Sequence, residues 1–175
     1  MDKDVFGPLT GAVPGSIASG GMGERGPTAP PRPDRPLGRR RADLLAQVPL
    51  FEGLSRRHLK QIAERADEIS FRDGETIIEA DESGGAFFVI VEGEVKVIRG
   101  NRVIARVGPG EFFGEISLLD GGPRTASVVA DSPVVAIRLF KSSFDKLVTQ
   151  EPKVAAKILA VVARRLREAE RTISS

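Results

Sequence analysis

The sequence contains no cysteine, no tryptophan and no tyrosine, and only one histidine, His58. Without thiols, a disulfide framework, thiolate catalysis, cysteine-ligated zinc and iron–sulfur clusters are excluded. One histidine leaves little material for a histidine zinc site or a Ser-His-Asp triad, so neither a metal nor a catalytic centre is expected. No uninterrupted apolar run approaches the roughly 18 residues needed to span a bilayer. The N-terminus has no continuous apolar stretch of the kind a secretory signal uses. The expected location is therefore the cytoplasm, with no membrane partner. What is present is 175 residues, 41% of them hydrophobic, enough for one domain of ordinary size with a tail.

Charge is unevenly placed. Residues 1–41 carry 7 basic and 4 acidic side chains, residues 42–149 carry 13 and 17, and residues 150–175 carry 6 and 3. Basic ends thus flank an acidic middle. Residues 1–40 hold 8 of the 19 glycines and 7 of the 12 prolines. A stretch so poor in large apolar side chains cannot offset the entropy of ordering it, so it is expected to be a disordered arm. Ala29-Pro30-Pro31-Arg32-Pro33 within it favours extended polyproline conformations. The run Arg39-Arg40-Arg41 reads as a solvated basic linker, with contact to an acidic surface or nucleic acid the other reading.

Order is expected from Ala42, giving one domain over residues 42–175. Ala42–Val48 has a short helical pattern that Pro49 limits. Ser55 is a good N-cap for a helix to about Arg65 carrying Leu59, Ile62 and Ala63. His58 on that helix reads as an ordinary surface side chain. From Ile69 the hydrophobic period changes to two. Strands are expected over 69–72, 75–79, 86–92, 94–99, 102–107, 125–130 and 134–139, separated by Asp73-Gly74, Glu92-Gly93, Gly100-Asn101 and Gly108-Pro109-Gly110. Short strands spaced this way predict an antiparallel sandwich or barrel. Helical spacing returns over 140–150. A long helix follows from Pro152, where proline suits the first turn. Its apolar stripe is Ala155, Ile158, Leu159, Val162, Leu166, Ala169 and Ile173.

One segment breaks the strand rhythm. Phe112 to Val128 has strand-like ends and a middle, Glu115 to Leu119, resembling one short helical turn. Gly114 permits close approach of a ligand to the backbone. Free N–H groups at the start of the turn suit an anion, and Arg124 offers it a fixed planar charge. Glu115, which only accepts, suits a hydroxyl. An anionic sugar phosphate satisfies all three groups. A plain Glu115–Arg124 salt bridge on a loop is the other reading.

The run Phe113-Gly114-Glu115-Ile116-Ser117-Leu118-Leu119, continued by Pro123-Arg124-Thr125-Ala126-Ser127-Val128, resembles the phosphate-binding cassette of cyclic nucleotide-binding domains. Gly74-Glu75, the hairpin Val91-Glu92-Gly93-Glu94-Val95 and Gly108-Pro109-Gly110 resemble the family's turns. Ala163-Arg164-Arg165-Leu166 resembles the long helix of bacterial catabolite activator proteins. The resemblance covers about residues 45–172. It implies a mainly β fold: an antiparallel, jelly-roll-like β-roll with N-terminal helices, a short cassette helix and a long C-terminal lid helix.

The resemblance also implies roles. Glu115 takes the ribose 2′-hydroxyl, and Arg124 pairs with the phosphate oxygens. Phe113, Gly114, Ile116 and Ser117 supply backbone N–H groups or walls. Thr125 and Ala126 follow the arginine, Ala126 giving its N–H to the phosphate. Val97 and Ile104 line the base side. The terminal helix has no aromatic residue to stack on a base, so Arg165 or Leu166 is expected to cap it. The ligand expected is cAMP, with cGMP the alternative because Thr125 stands where a hydroxyl can meet the guanine amino group. No separate cofactor is implied.

Nothing in the pattern supplies a general base or a metal cluster, and Arg with Glu bind rather than cleave, so an enzyme is not expected. The chain ends within or just after the long helix. A helix-turn-helix, kinase or cyclase is therefore not expected in it, and nucleic acid is not an expected partner. The expected function is a sensor whose ligand switches the terminal helix toward an unidentified protein effector. The helix stripe predicts either a homodimer or packing on the β-roll. The alternative function is a β-roll interaction scaffold that binds no nucleotide.

Overall fold

The computed structural model describes residues 37–174, so the arm expected over residues 1–40 lies almost wholly outside the described residues. The chain is already helical at Leu37, five residues before the expected start. Helix α1 runs Leu37–Ala46 and strand β1 runs Ala66–Phe71. The basic run read as a solvated linker joins the two. Arg40 Nε and Nη2 donate to the Glu68 carboxylate, Nη2 at 2.9 Å, and Arg41 donates to the Ala66 carbonyl. These contacts give the first turns of α1 tertiary partners that composition alone does not reveal.

A 3-10 turn over Pro49–Phe51 leads to α2, Arg56–Glu64. Ser55 caps α2 as expected, its Oγ accepting from the His58 amide at 3.3 Å. The remaining strands are β2 (Thr76–Ile78), β3 (Ala86–Glu92), β4 (Val95–Arg99), β5 (Arg102–Val107), β6 (Phe112–Phe113), β7 (Ser127–Ala130) and β8 (Val134–Phe140). They form two four-stranded sheets in the orders β1-β8-β3-β6 and β2-β7-β4-β5. The strands within each sheet pair antiparallel. The helices α3 (Glu115–Asp120), α4 (Lys141–Gln150) and α5 (Pro152–Ile173) complete the fold. This is the β-roll with flanking helices that the sequence predicts.

Strand β3 shows why the layers stack this way, since side chains alternate across a strand. Phe87 and Val89 join Leu45, Phe51, Ile137, Phe144 and Ile158 in the core under the helices. Phe88 and Ile90 point the other way, into the core between the sheets with Phe71, Val95, Phe113 and Val128. Phe112 and Phe113 divide likewise between the two cores. The cassette is therefore anchored on both faces of its first two residues.

Two expectations about the helices change. The α5 stripe splits: Ile158 is buried, whereas Leu159, Leu166 and Ile173 are 69%, 60% and 86% exposed. His58 is not a solitary surface residue; its Nδ1 lies 2.9 Å from Glu151 Oε1, linking α2 to the α4–α5 junction. Among the described residues, no helix is long and apolar enough to cross a membrane.

Phe87 has no exposed surface and touches the rings of Phe112 and Phe144 at centroid distances of 5.4 and 5.0 Å. Phe87→Ala is expected to lower stability by about 3–5 kcal/mol, measured by urea unfolding followed by far-UV circular dichroism.

Candidate functional site

The cassette folds locally because glycines bracket its helix. Gly114, with φ +88°, turns the chain from β6 into α3, and Gly121, with φ +74°, turns it out again. At Gly114 the conformation and the space both demand glycine. A Cβ there would lie 2.8 Å from the Ala86 carbonyl oxygen and 3.0 Å from Arg124 Nη1. Leu118 is buried beneath the helix, while Ile116 and Leu119 face outward.

Arg124 is 7% exposed and its guanidinium is held by three oxygens. Nη1 donates to the Gly114 carbonyl and to Ser117 Oγ, each at 2.9 Å, and Nη2 donates to the Ala86 carbonyl at 2.7 Å. A guanidinium has five N–H donors, so two remain unspent. Burial pulls the Arg124 pKa below the usual arginine value, opposed by the nearby charge of Glu115. The backbone around it is fixed as well. The Asp81 amide donates to the Arg124 carbonyl and the Arg124 amide to the Glu82 carbonyl, both at 2.9 Å. The Ala80 amide donates to Ser127 Oγ at 2.9 Å. The loop before β3 is thus zipped to the chain that carries Arg124.

Glu115 is 1% exposed. Its partner is not Arg124 but Arg165 of α5, whose Nη1 donates to Oε1 at 2.7 Å. Arg165 Nη2 also donates to the Phe112 carbonyl at 2.5 Å, and its guanidinium lies over the Phe112 ring, 5.1 Å from the centroid. No hydrogen bond or ion pair joins Arg124 to Glu115 among the described residues, so the loop salt bridge is not the arrangement seen. Arg165, expected to cap a base, is instead seated on Glu115 and Phe112.

The other expected residues divide into three groups. Phe113 and Ala126 are buried, Phe113 stacked on Phe88 with centroids 5.0 Å apart. Val97 is half-buried against the inter-sheet core. Thr125 is exposed at the rim, its carbonyl accepting from Arg99 Nε at 3.3 Å. Ile104, expected on the base side, is 48% exposed. It falls at the register shift between β4 and β5, where Val97 pairs with Ala105 and Ile98 with Val103, so Ile104 has no cross-strand partner. Sequence reasoning missed Ala86, Gly84 and the backbone of residues 80–82. The adjacent pair Gly84-Gly85 before a strand was the available signal. Among the described residues, no group of three or more His, Asp or Glu side chains is placed to hold a metal ion.

The profile of the cyclic nucleotide-binding domain matches residues 68–151. The N-terminal domain of a transcriptional regulator from Streptomyces coelicolor is 32% identical, with a TM-score of 0.56 over 75% of this chain and 95% of that one. The chain belongs to the cyclic nucleotide-binding domain family. The cyclic AMP receptor protein of Thermus thermophilus is 35% identical over 127 residues, covering 70% of this chain and 59% of the relative. Cyclic AMP-bound PfPKA-R superimposes with a TM-score of 0.71 at 25% identity, over 78% of this chain and 47% of that one. This cyclic nucleotide-binding domain therefore spans about 59% of the length of its Thermus relative.

Arg165 is the direct charge partner of the buried Glu115. Arg165→Met in this domain is expected to cost about 1–3 kcal/mol of stability, because the carboxylate loses a charged donor in a dry setting. Urea unfolding at pH 7 measures it.

Proposed function

We propose that the chain is a cyclic nucleotide sensor that binds cAMP against the cassette and passes the signal through α5. The observation that carries this reading is Arg124. A guanidinium held this firmly, with two donors unspent, is pre-positioned to meet an anion. The cyclic phosphate supplies one negative charge and oxygens in the right number. Ser117 Oγ accepts from Arg124 and keeps its own proton to donate. Glu115 Oε1 is engaged by Arg165, and the second carboxylate oxygen has capacity for the ribose 2′-hydroxyl. The relatives named as a cyclic AMP receptor and as a cAMP-bound protein support adenine as the base. Thr125 at the rim supplies the hydroxyl that a cGMP reading would use.

Arg124 and Glu115 hold and orient, and the proposed activity is binding. Arg165 couples the pocket to the output, because one side chain of α5 sits directly on the carboxylate proposed to grip the ribose. The ligand shifts the position of α5 only as far as it binds the two positions unequally. Leu159, Leu166 and Ile173, seven residues apart and all exposed, form a stripe suited to the same helix of a second copy.

Arg124→Ala is expected to weaken cAMP binding at least about a hundredfold, since an anion in a dry site loses its paired cation. Isothermal titration calorimetry measures it, and an unchanged dissociation constant removes phosphate pairing from the account. Titration of the wild-type chain with both nucleotides should favour cAMP; a tenfold preference for cGMP would reverse the base assignment. Sedimentation should show a dimer that Leu166→Glu disrupts; a wild-type monomer at all concentrations would reject the helix interface.

A further inference from the structure

We infer that Gly84 is a positioning residue for Arg124: its missing side chain is the space in which Ser117 and the guanidinium meet. The inference rests on the nucleotide-pocket reading and adds to it a residue outside the cassette. A Cβ built on Gly84 would lie 2.1 Å from Ser117 Oγ, 2.6 Å from Ser117 Cβ and 3.1 Å from Arg124 Cζ. The first two distances are far inside van der Waals contact. Rotating the hydroxyl away relieves only the first, because Ser117 Cβ is fixed to helix α3. The backbone gives no other reason for glycine here, since Gly84 is not among the glycines with positive φ. What forbids a side chain is the cassette.

The clash has two ways to relax, and both reach Arg124. If α3 moves outward, Ser117 leaves the 2.9 Å hydrogen bond that orients Nη1. If the loop moves instead, the bonds from the Asp81 amide to the Arg124 carbonyl and from the Arg124 amide to the Glu82 carbonyl are strained. Ser83 also pairs with Pro123 in an isolated bridge beside them. Displacing the loop therefore drags the backbone from which the guanidinium projects. Gly85 provides an internal control one residue away, because a Cβ there would meet nothing within 4 Å and its φ is not positive.

The test uses the full chain with Gly84→Ala, Gly85→Ala, Ser117→Gly and the Gly84→Ala/Ser117→Gly pair. Calorimetry with cAMP should show at least about a tenfold loss for Gly84→Ala and less than about a twofold change for Gly85→Ala, a gap of about 1 kcal/mol or more. Ser117→Gly removes the two closest atoms and leaves only the 3.1 Å approach to Arg124 Cζ. Gly84→Ala should therefore cost less in the Ser117→Gly background than in the wild-type chain, a non-additivity that a general loss of folding would not produce. In the nucleotide-free protein, the Arg124 side-chain N–H resonances should move in Gly84→Ala and stay in place in Gly85→Ala. That readout needs no ligand. If the wild-type chain fails to bind cAMP, the sensor reading falls while the spectra still decide the role of Gly84. Equal losses in the two glycine variants, or Arg124 resonances unmoved by Gly84→Ala, would overturn the inference.

Discussion

A buried guanidinium is the constraint around which the cassette is arranged. Arg124 gives up water and instead donates hydrogen bonds to the Gly114 carbonyl, Ser117 Oγ and the Ala86 carbonyl. Each acceptor belongs to a different piece of the fold. Gly114 ends the turn out of β6, Ser117 lies on α3, and Ala86 begins β3. The cation therefore fixes the relative placement of three elements, and they in turn fix the cation. Lysine could not serve equally, because one ammonium lacks the planar spread that reaches all three oxygens with donors to spare.

The second charged pair joins this seat to the end of the chain. Glu115 follows Gly114 directly, so its place is set by the same left-handed turn. Arg165 comes from the middle of α5, fifty residues later, and meets both Glu115 and the Phe112 carbonyl. Lys157, two turns earlier on α5, donates to the Pro49 carbonyl at 2.7 Å. With Val154 and Ile158 buried, these contacts pin one face of α5 to the domain and leave Leu159, Leu166 and Ile173 facing outward. A helix held at one end by packing and in its middle by one ion pair is suited to respond when that ion pair is disturbed.

Local chemistry was the legible part of the sequence. Alternation marked β3, β4 and β5 to within a residue, Ser55 announced the start of α2, and Pro152 that of α5, because caps, turns and periodicity are written in near neighbours. The unusual spacing of Gly114, Glu115 and Arg124 pointed to the site for the same reason. What stayed hidden was long-range. The start of α1 at Leu37 depends on Arg40 finding Glu68 across 28 residues. The register shift between β4 and β5 at Ile104 is another feature that period-two alternation cannot foresee. The partner of Glu115 lay on a distant helix, where one of several arginines had to be chosen by geometry. The constraint on Gly84 comes from Ser117, 33 residues later in the chain, and is equally long-range.

The most direct test is a crystal structure of the chain soaked or grown with cAMP. The account predicts the exocyclic phosphate oxygens within hydrogen-bond distance of Arg124 and the ribose 2′-hydroxyl on Glu115. Nucleotide bound elsewhere, with Arg124 still satisfied only by Gly114, Ser117 and Ala86, would contradict it.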